Sequence, residues 1–135
     1  MKLNIVFFNL LLCFFAFSCQ KNKDCTNCEN VACTKEFKMI SVDVIDVMGE
    51  GVPLTDYALY YTKSKTPIEL SQYGLLGKYN IANDGMLNDL DCDGTSITLS
   101  YSMDAENYKE KEFLIGRDCC HIINYTEGDM EIKIE

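Results

Sequence analysis

The chain has no tryptophan, a single histidine, two prolines and far fewer basic than acidic residues. Without tryptophan it lacks the Cys–Trp–Cys spacing of immunoglobulin domains, so an antibody-like topology is not favoured. Its 12 Lys and Arg residues against 21 Asp and Glu residues give a net charge of −9. Because such a surface repels phosphate backbones and anionic lipid headgroups, we expect no nucleic-acid partner.

Motifs of the common enzyme classes are also missing. The sequence contains no Gly-x-Ser-x-Gly, no His-Glu-x-x-His, no P-loop and no dinucleotide-binding fingerprint. A dyad of Cys120 with His121, the only histidine, is not expected, because adjacent residues of a strand point to opposite faces. We therefore expect that the protein is not an enzyme and has no catalytic residues.

The first 18 residues have the pattern of an export signal. Lys2 precedes an apolar run over 5–17, and small residues at Ala16 and Ser18 come just before Cys19. A positive start, a short apolar segment and small residues before a cleavage site are typical of a secretory signal peptide. The run is shorter than the about 20 apolar residues of a membrane span. An ordinary cleaved signal peptide and an uncleaved anchor helix remain alternatives.

Small residues followed by Cys19 resemble the lipobox of bacterial lipoproteins. The resemblance implies that Cys19 becomes the first mature residue and carries acyl chains such as palmitate, which anchor the chain to a membrane. Gln20, in place of Asp, resembles Gram-negative lipoproteins that reach the outer membrane. The implied location is the cell envelope, on the periplasmic face or the cell surface.

The remaining chain is long enough for one domain. Removing 1–18 takes away Lys2 and no acidic residue, so 117 residues with a net charge of −10 remain. A chain of that length can bury its own core. We divide it into a polar, Cys-containing tether over 19–36 and a folded domain over 37–135.

Six cysteines stay in the mature chain besides Cys19: Cys25, Cys28, Cys33, Cys92, Cys119 and Cys120. An even number in an exported chain predicts a disulfide framework, although sequence alone does not fix the pairing. Cys119 and Cys120 should have different partners, because they would point to opposite faces of a strand. We predict that one of them pairs with Cys33 and the other with Cys92, which leaves Cys25 and Cys28 as a local loop.

The domain shows a short apolar–polar alternation that recurs between turn signals. Segments of mostly β-branched and aromatic residues alternate with clusters of Gly, Asn, Asp and Pro, and no helical period exceeds two turns. Parity slips within the first segment predict a β-bulge. We predict an all-β fold, a sandwich of about seven short strands. The predicted strands cover 37–47, 56–62, 78–82, 96–101, 108–115, 119–125 and about 130–134. Segment 68–76 is ambiguous, and 116–118 is predicted to interrupt the strands on either side.

Three segments carry a resemblance to a known family. Segment 37–54 has a strand, an Asp, a Gly-containing turn and Val-Pro before a second strand. Segment 77–84 has Gly-x-Tyr-x-Ile followed by Asp, and segment 116–128 resembles the closing part of small exported bacterial domains. Together these resemble a carboxypeptidase regulatory-like, transthyretin-like (prealbumin-like) domain. The resemblance implies an antiparallel, seven-stranded β-sandwich that serves as a non-catalytic folding or binding module. The extra cysteines and a long acidic loop depart from the pattern and leave the partner open.

The acidic loop contains a partial calcium motif. Asp89, Asp91 and Asp93, followed by Gly94, match the first six positions of a calcium-binding loop. The twelfth position is Ser100, where a bidentate Glu is required, although Asn and Asp side chains over 83–88 could add oxygen ligands. The alternative is an acidic surface loop that leads into a strand, so Ca²⁺ is a possible cofactor of a calcium-stabilised adhesion or structural domain.

Zinc binding or thiol redox chemistry is a further alternative for the cysteines. Cys25 and Cys28 form one C-x-x-C pair, and Cys33, Cys119, Cys120 and His121 could complete a zinc site. Export favours disulfides instead. The main expectation is a non-catalytic binding or scaffold module, for which exposed tyrosines suggest an unidentified protein or glycan ligand.

Overall fold

The computed structural model describes residues 25, 27–72 and 76–135. The signal segment and Cys19 lie outside these residues. Alternation of apolar and polar residues produces strands, as predicted: β1 (Met39–Ile45), β2 (Asp56–Tyr61), β3 (Lys78–Asn83), β4 (Thr95–Ser102), β5 (Lys109–Arg117), β6 (Ile122–Asn124) and β7 (Glu131–Lys133). A short 3₁₀ helix, Asp84–Asp89, follows β3. The all-β prediction is confirmed.

The strands form two sheets, of order β3-β1-β7 and β2-β4-β5-β6. The antiparallel prediction holds for every strand pair except β1 and β7, which run parallel. A hairpin joins only antiparallel strands, but β7 comes at the end of the chain and returns to β1 after all other strands. The parallel pair corrects the prediction of a wholly antiparallel domain.

One hydrophobic core joins the two sheets. The three-stranded sheet contributes Val42 and Val44, which are fully buried on one face of β1. The four-stranded sheet contributes fully buried residues such as Leu99 and Phe113, and all belong to one cluster of buried side chains. Burial of alternate residues stabilises both sheets against the same core. The predicted bulge in β1 is confirmed as a register shift between Ile40 and Ser41.

The predicted break at 116–118 and the predicted strand from residue 119 are wrong in detail. β5 continues to Arg117, and Gly116 is buried within it. A Cβ at Gly116 would lie 2.2 Å from Tyr125 Cε2, so the glycine allows this ring to pack and does not end the strand. The chain turns after it, where Asp118 Oδ1 accepts hydrogen bonds from the backbone N–H groups of Cys120 and His121.

Several loops meet at the end of the sheets where β1 begins. The 3₁₀ helix starts there, since the Asn83 side chain accepts a hydrogen bond from the Gly85 N–H. Lys38 and Asp84 are joined backbone to backbone across this end, and the turn at 118–121 leads into β6. We call this the cysteine end, defined by residues 25, 27–34, 84–94 and 118–121. Within the described part of the chain, no helix is both long and apolar enough to cross a membrane.

Candidate functional site

Three disulfides join the N-terminal segment to the cysteine end. They pair Cys25 with Cys92, Cys28 with Cys119, and Cys33 with Cys120. The Cα–Cα distances of 5.8, 5.3 and 5.3 Å are in the usual range for disulfides. The predicted disulfide framework is confirmed. Three of its cysteines, Cys25, Cys28 and Cys33, lie within the segment that we divided off as the tether.

The predicted pairing is correct in part. Cys33 does pair with one of the two adjacent cysteines, and these two have different partners. The local loop between Cys25 and Cys28 is wrong, and so is the pairing of Cys92 with an adjacent cysteine. The segment passes from the acidic loop to the turn at 118–121, so that each of its cysteines reaches a different part of the domain. All six sulfurs are in disulfides, whereas a zinc ligand is a free thiolate, so the structure lends no support to the alternative of zinc binding or thiol redox chemistry.

The acidic loop is closed by its own backbone. Asp89 ends the 3₁₀ helix, and the Gly94 N–H donates to the Asp91 carbonyl. The Asp91 N–H donates to Thr95 Oγ1. Among residues 25, 27–72 and 76–135, no group of three or more His, Cys, Asp or Glu side chains is arranged to hold a metal ion. Asp89, Asp91 and Asp93 are therefore not brought together as a ligand set, and calcium binding stays a prediction.

His121 joins two distant parts of the chain in a hydrogen-bonded row. Its Nδ1 lies 2.8 Å from Asp84 Oδ2, and its Nε2 lies 2.9 Å from Thr34 Oγ1. The side chains of Asp84 and His121 are 8% and 20% exposed, whereas Thr34 is exposed. The sequence does not indicate this cluster, since His121 is 37 positions from Asp84 and 87 positions from Thr34 along the chain. No motif at such separations could have indicated it.

The Asp84 carboxylate is held in its ionised form. Burial raises the pKa of this carboxyl, but hydrogen bonds from His121 and from the Lys38 and Ile122 N–H groups lower it by more, so the net shift is downward. Its two oxygens accept from Lys38 N at 2.8 Å and from Ile122 N at 2.9 Å. The pKa of Asp118 is also lowered, because the two backbone hydrogen bonds it accepts and the nearby His121 and Lys38 outweigh its burial. Two carboxylates therefore flank the histidine.

A groove opens between the loop after β2 and the acidic loop. It has a volume of about 730 Å³, and a second cavity of about 580 Å³ shares Tyr61, Thr66 and Asp89 with it. Its lining is rich in hydroxyl groups and also carries Asp91 and Lys63. Burial, and then the negative charge of Asp89, raise the pKa of Tyr61, which keeps its phenol neutral. Concave sites with an aromatic ring and a few polar groups are typical of ligand-binding sites.

Comparisons with known proteins give no further guide: no protein-family model matches the chain, and no curated protein or solved structure is significantly similar to it. The resemblance to carboxypeptidase regulatory-like domains therefore stays a prediction.

Proposed function

We propose that this protein is an exported lipoprotein of a Gram-negative cell envelope, anchored to the outer membrane through Cys19. Its domain is a β-sandwich of the transthyretin-like type and acts as a binding or scaffold module. The observation that supports this proposal most strongly is the set of three disulfides. Disulfides persist in oxidising compartments and are rare in the cytosol, so they agree with the export signal read from the N-terminus.

The groove beside Tyr61 is the proposed binding site. Hydroxyl groups of Ser64, Thr66 and Thr95 line it together with the Tyr61 ring. Aromatic rings contact the apolar faces of sugars and of protein side chains, while hydroxyl and carboxylate groups form hydrogen bonds with polar ligands. A glycan or a polar protein segment matches this lining, and the net charge of −9 disfavours an anionic partner.

The anchor is tested in a Gram-negative host that expresses the full chain and a Cys19→Ala variant. We expect the unaltered protein to partition into the detergent phase and its N-terminal peptide to carry the mass of acyl chains. The Cys19→Ala variant should be soluble and unacylated. Cys13→Ala is the matched control, because Cys13 lies inside the predicted signal segment and its loss should leave acylation unchanged. An unacylated wild-type protein that partitions into the aqueous phase contradicts the anchor.

The binding site is tested separately, by screening the lipidated protein in detergent against a glycan array and against envelope extracts. Tyr61→Ala should abolish the binding of any ligand found in the screen, without lowering the melting temperature of the protein by more than a few degrees. Tyr108→Ala is the matched control, because Tyr108 is half-exposed and lies outside the groove. Binding that survives Tyr61→Ala but is lost in Tyr108→Ala contradicts this site.

A further inference from the structure

Thr34, His121 and Asp84 form a hydrogen-bonded row in which a hydroxyl, an imidazole and a carboxylate follow one another. Thr34 Oγ1 lies 2.9 Å from His121 Nε2, and His121 Nδ1 lies 2.8 Å from Asp84 Oδ2. Exposure falls along the row, from an exposed hydroxyl to a half-buried ring to a buried carboxylate. A hydroxyl, an imidazole and a carboxylate in this order form the catalytic triads of hydrolases on unrelated folds.

The proton positions in the row follow from the charge of Asp84. The carboxyl is ionised at neutral pH, since hydrogen bonds lower its pKa below the ordinary value. A carboxylate only accepts hydrogen bonds, so His121 Nδ1 carries the proton that is donated to Asp84 Oδ2. In the neutral ring Nε2 then has a free lone pair and accepts the hydrogen bond from the Thr34 hydroxyl. This is the tautomer in which a histidine acts as general base toward a hydroxyl.

Covalent bonds and hydrogen bonds hold the three groups in place. The Cys33–Cys120 disulfide joins the residue before Thr34 to the residue before His121. Asp84 accepts two backbone N–H groups besides the ring, and the His121 N–H is held by Asp118. The negative charges of Asp84 and Asp118 would stabilise the imidazolium that forms when Nε2 takes a proton. A site fixed before the substrate arrives avoids the free-energy cost of reorganisation during the reaction.

We propose that Thr34 is a base-activated nucleophile and that the protein cleaves carboxylic esters at this site. Thr34 Oγ1 bonds to the ester carbonyl carbon while its proton passes to His121 Nε2. The bond from that carbon to the alcohol oxygen then breaks, and the Nε2 proton goes to the departing alcohol. A water molecule then gives a proton to Nε2 and bonds to the acyl carbon. The bond from that carbon to Thr34 Oγ1 breaks, the Nε2 proton returns to Oγ1, and the carboxylic acid is released. The activity goes beyond a binding role and would replace the expectation that the chain has no catalytic residues.

The test uses the full chain in detergent and an alkyl fluorophosphonate, which reacts with activated hydroxyls by forming a P–O bond and releasing fluoride. Peptide mass mapping after reaction in mildly alkaline buffer should place the adduct on Thr34. His121→Gln should lower the labelling rate by about 100-fold or more, the usual contribution of a general base. Thr34→Ser, which keeps the hydroxyl and removes the methyl group, should label at least as fast as the wild type.

Two controls separate catalysis from a structural role. Thr55→Ala removes an exposed hydroxyl that donates to the Met103 carbonyl, outside the row, and should leave labelling unchanged. The intact mass and the melting temperature of every variant show whether the disulfides and the fold are kept. The proposal is overturned if the folded wild type gives no Thr34 adduct, if the adduct forms as fast in His121→Gln, or if it forms as fast in the reduced, unfolded chain. In each of these cases the row only fixes the N-terminal segment.

Discussion

Removing one disulfide at a time, by replacing both cysteines with alanine, tests how the three crosslinks act together. In the chain-entropy model a disulfide stabilises the protein by restricting its unfolded chain, and longer closed loops contribute more. Taken alone, Cys33–Cys120 spans 87 residues and Cys25–Cys92 spans 67. Treated as independent loops, both would contribute about 4.5 kcal/mol to the free energy of unfolding, with Cys33–Cys120 slightly the larger.

The three loops overlap along the chain, and this overlap reverses that order. While Cys28–Cys119 is intact, residues 33 and 120 are already connected through that disulfide, by way of segments 28–33 and 119–120. Forming Cys33–Cys120 therefore closes a loop of only about six residues, which adds about 2 kcal/mol to the free energy of unfolding. The loop closed by Cys25–Cys92 runs through segments 25–28 and 92–119, which are joined by Cys28–Cys119. This loop has about 30 residues and adds about 3.5 kcal/mol to the free energy of unfolding. Cys25 is also buried, at 3% exposure, while Cys33 is exposed, so lost packing adds to the larger value.

The assay is urea unfolding of both double-alanine variants and the wild type without reductant, with linear extrapolation to water. Cys33→Ala with Cys120→Ala should cost about 2 kcal/mol, and Cys25→Ala with Cys92→Ala about 3.5 kcal/mol or more. A cost of about 4.5 kcal/mol for the first variant, equal to or above that of the second, would refute the reasoning from overlapping loops. Intact masses must show the two remaining disulfides in each variant.

Three further predictions concern single residues. Gly77→Ala should destabilise the protein by about 2–4 kcal/mol in urea unfolding, because Gly77 has φ +76° and an added Cβ would lie 2.5 Å from a backbone oxygen. Gly49→Ala is the control, since Gly49 has φ +83° but open space around it, and should cost only about 1 kcal/mol. Equal losses of stability in the two variants would contradict the packing argument. Phe113→Ala removes a fully buried ring and should cost about 3–5 kcal/mol in the same assay; a loss below about 1 kcal/mol would show that the core is not built as described. Asp84→Asn should reduce the loss of stability in acid, because the pKa of Asp84 is lowered in the folded state. The contribution of this carboxylate to the free energy of unfolding is therefore complete above the unfolded-state pKa of about 3.9, and it is lost as the pH falls through the folded-state pKa. Unfolding curves from pH 7 to 2 that stay parallel for Asp84→Asn and the wild type would show that this carboxylate is not the linked group.

The strands could be predicted from sequence because their patterning is local. Ile97, Leu99 and Tyr101 alternate with polar residues, and all three are buried within β4. Patterning also predicts the bulge in β1, since extra residues shift the parity of the buried face. It does not specify which strand pairs with which. The parallel neighbour of β1 is three residues long and comes from the end of the chain, so no turn signal marks the pairing.

The candidate site was less predictable, because its residues meet only through the tertiary fold. Composition and the predicted export signal indicated disulfides, but the partner of Cys92 depends on where Cys25 and Cys28 lie on the domain. The interpretation of Gly116 as a strand break failed for a related reason, since its need for a small residue comes from the Tyr125 ring. The contacts of His121 with Thr34 and Asp84 likewise depend on the disulfides and the turn that bring distant segments together.

The Cys25–Cys92 disulfide limits how far the domain can move from an anchor. Only residues 20–24 separate Cys19 from Cys25, and six Cα–Cα steps span at most about 20 Å. If Cys19 carries the lipid, the acidic loop that holds Cys92 stays within about that distance of the bilayer surface. Asp91 and Gly94, on either side of Cys92, line the groove, so its opening would sample the headgroup layer and not the open periplasm or medium. A ligand would then be met in two dimensions, on or beside the membrane, where even a weak affinity gives high occupancy.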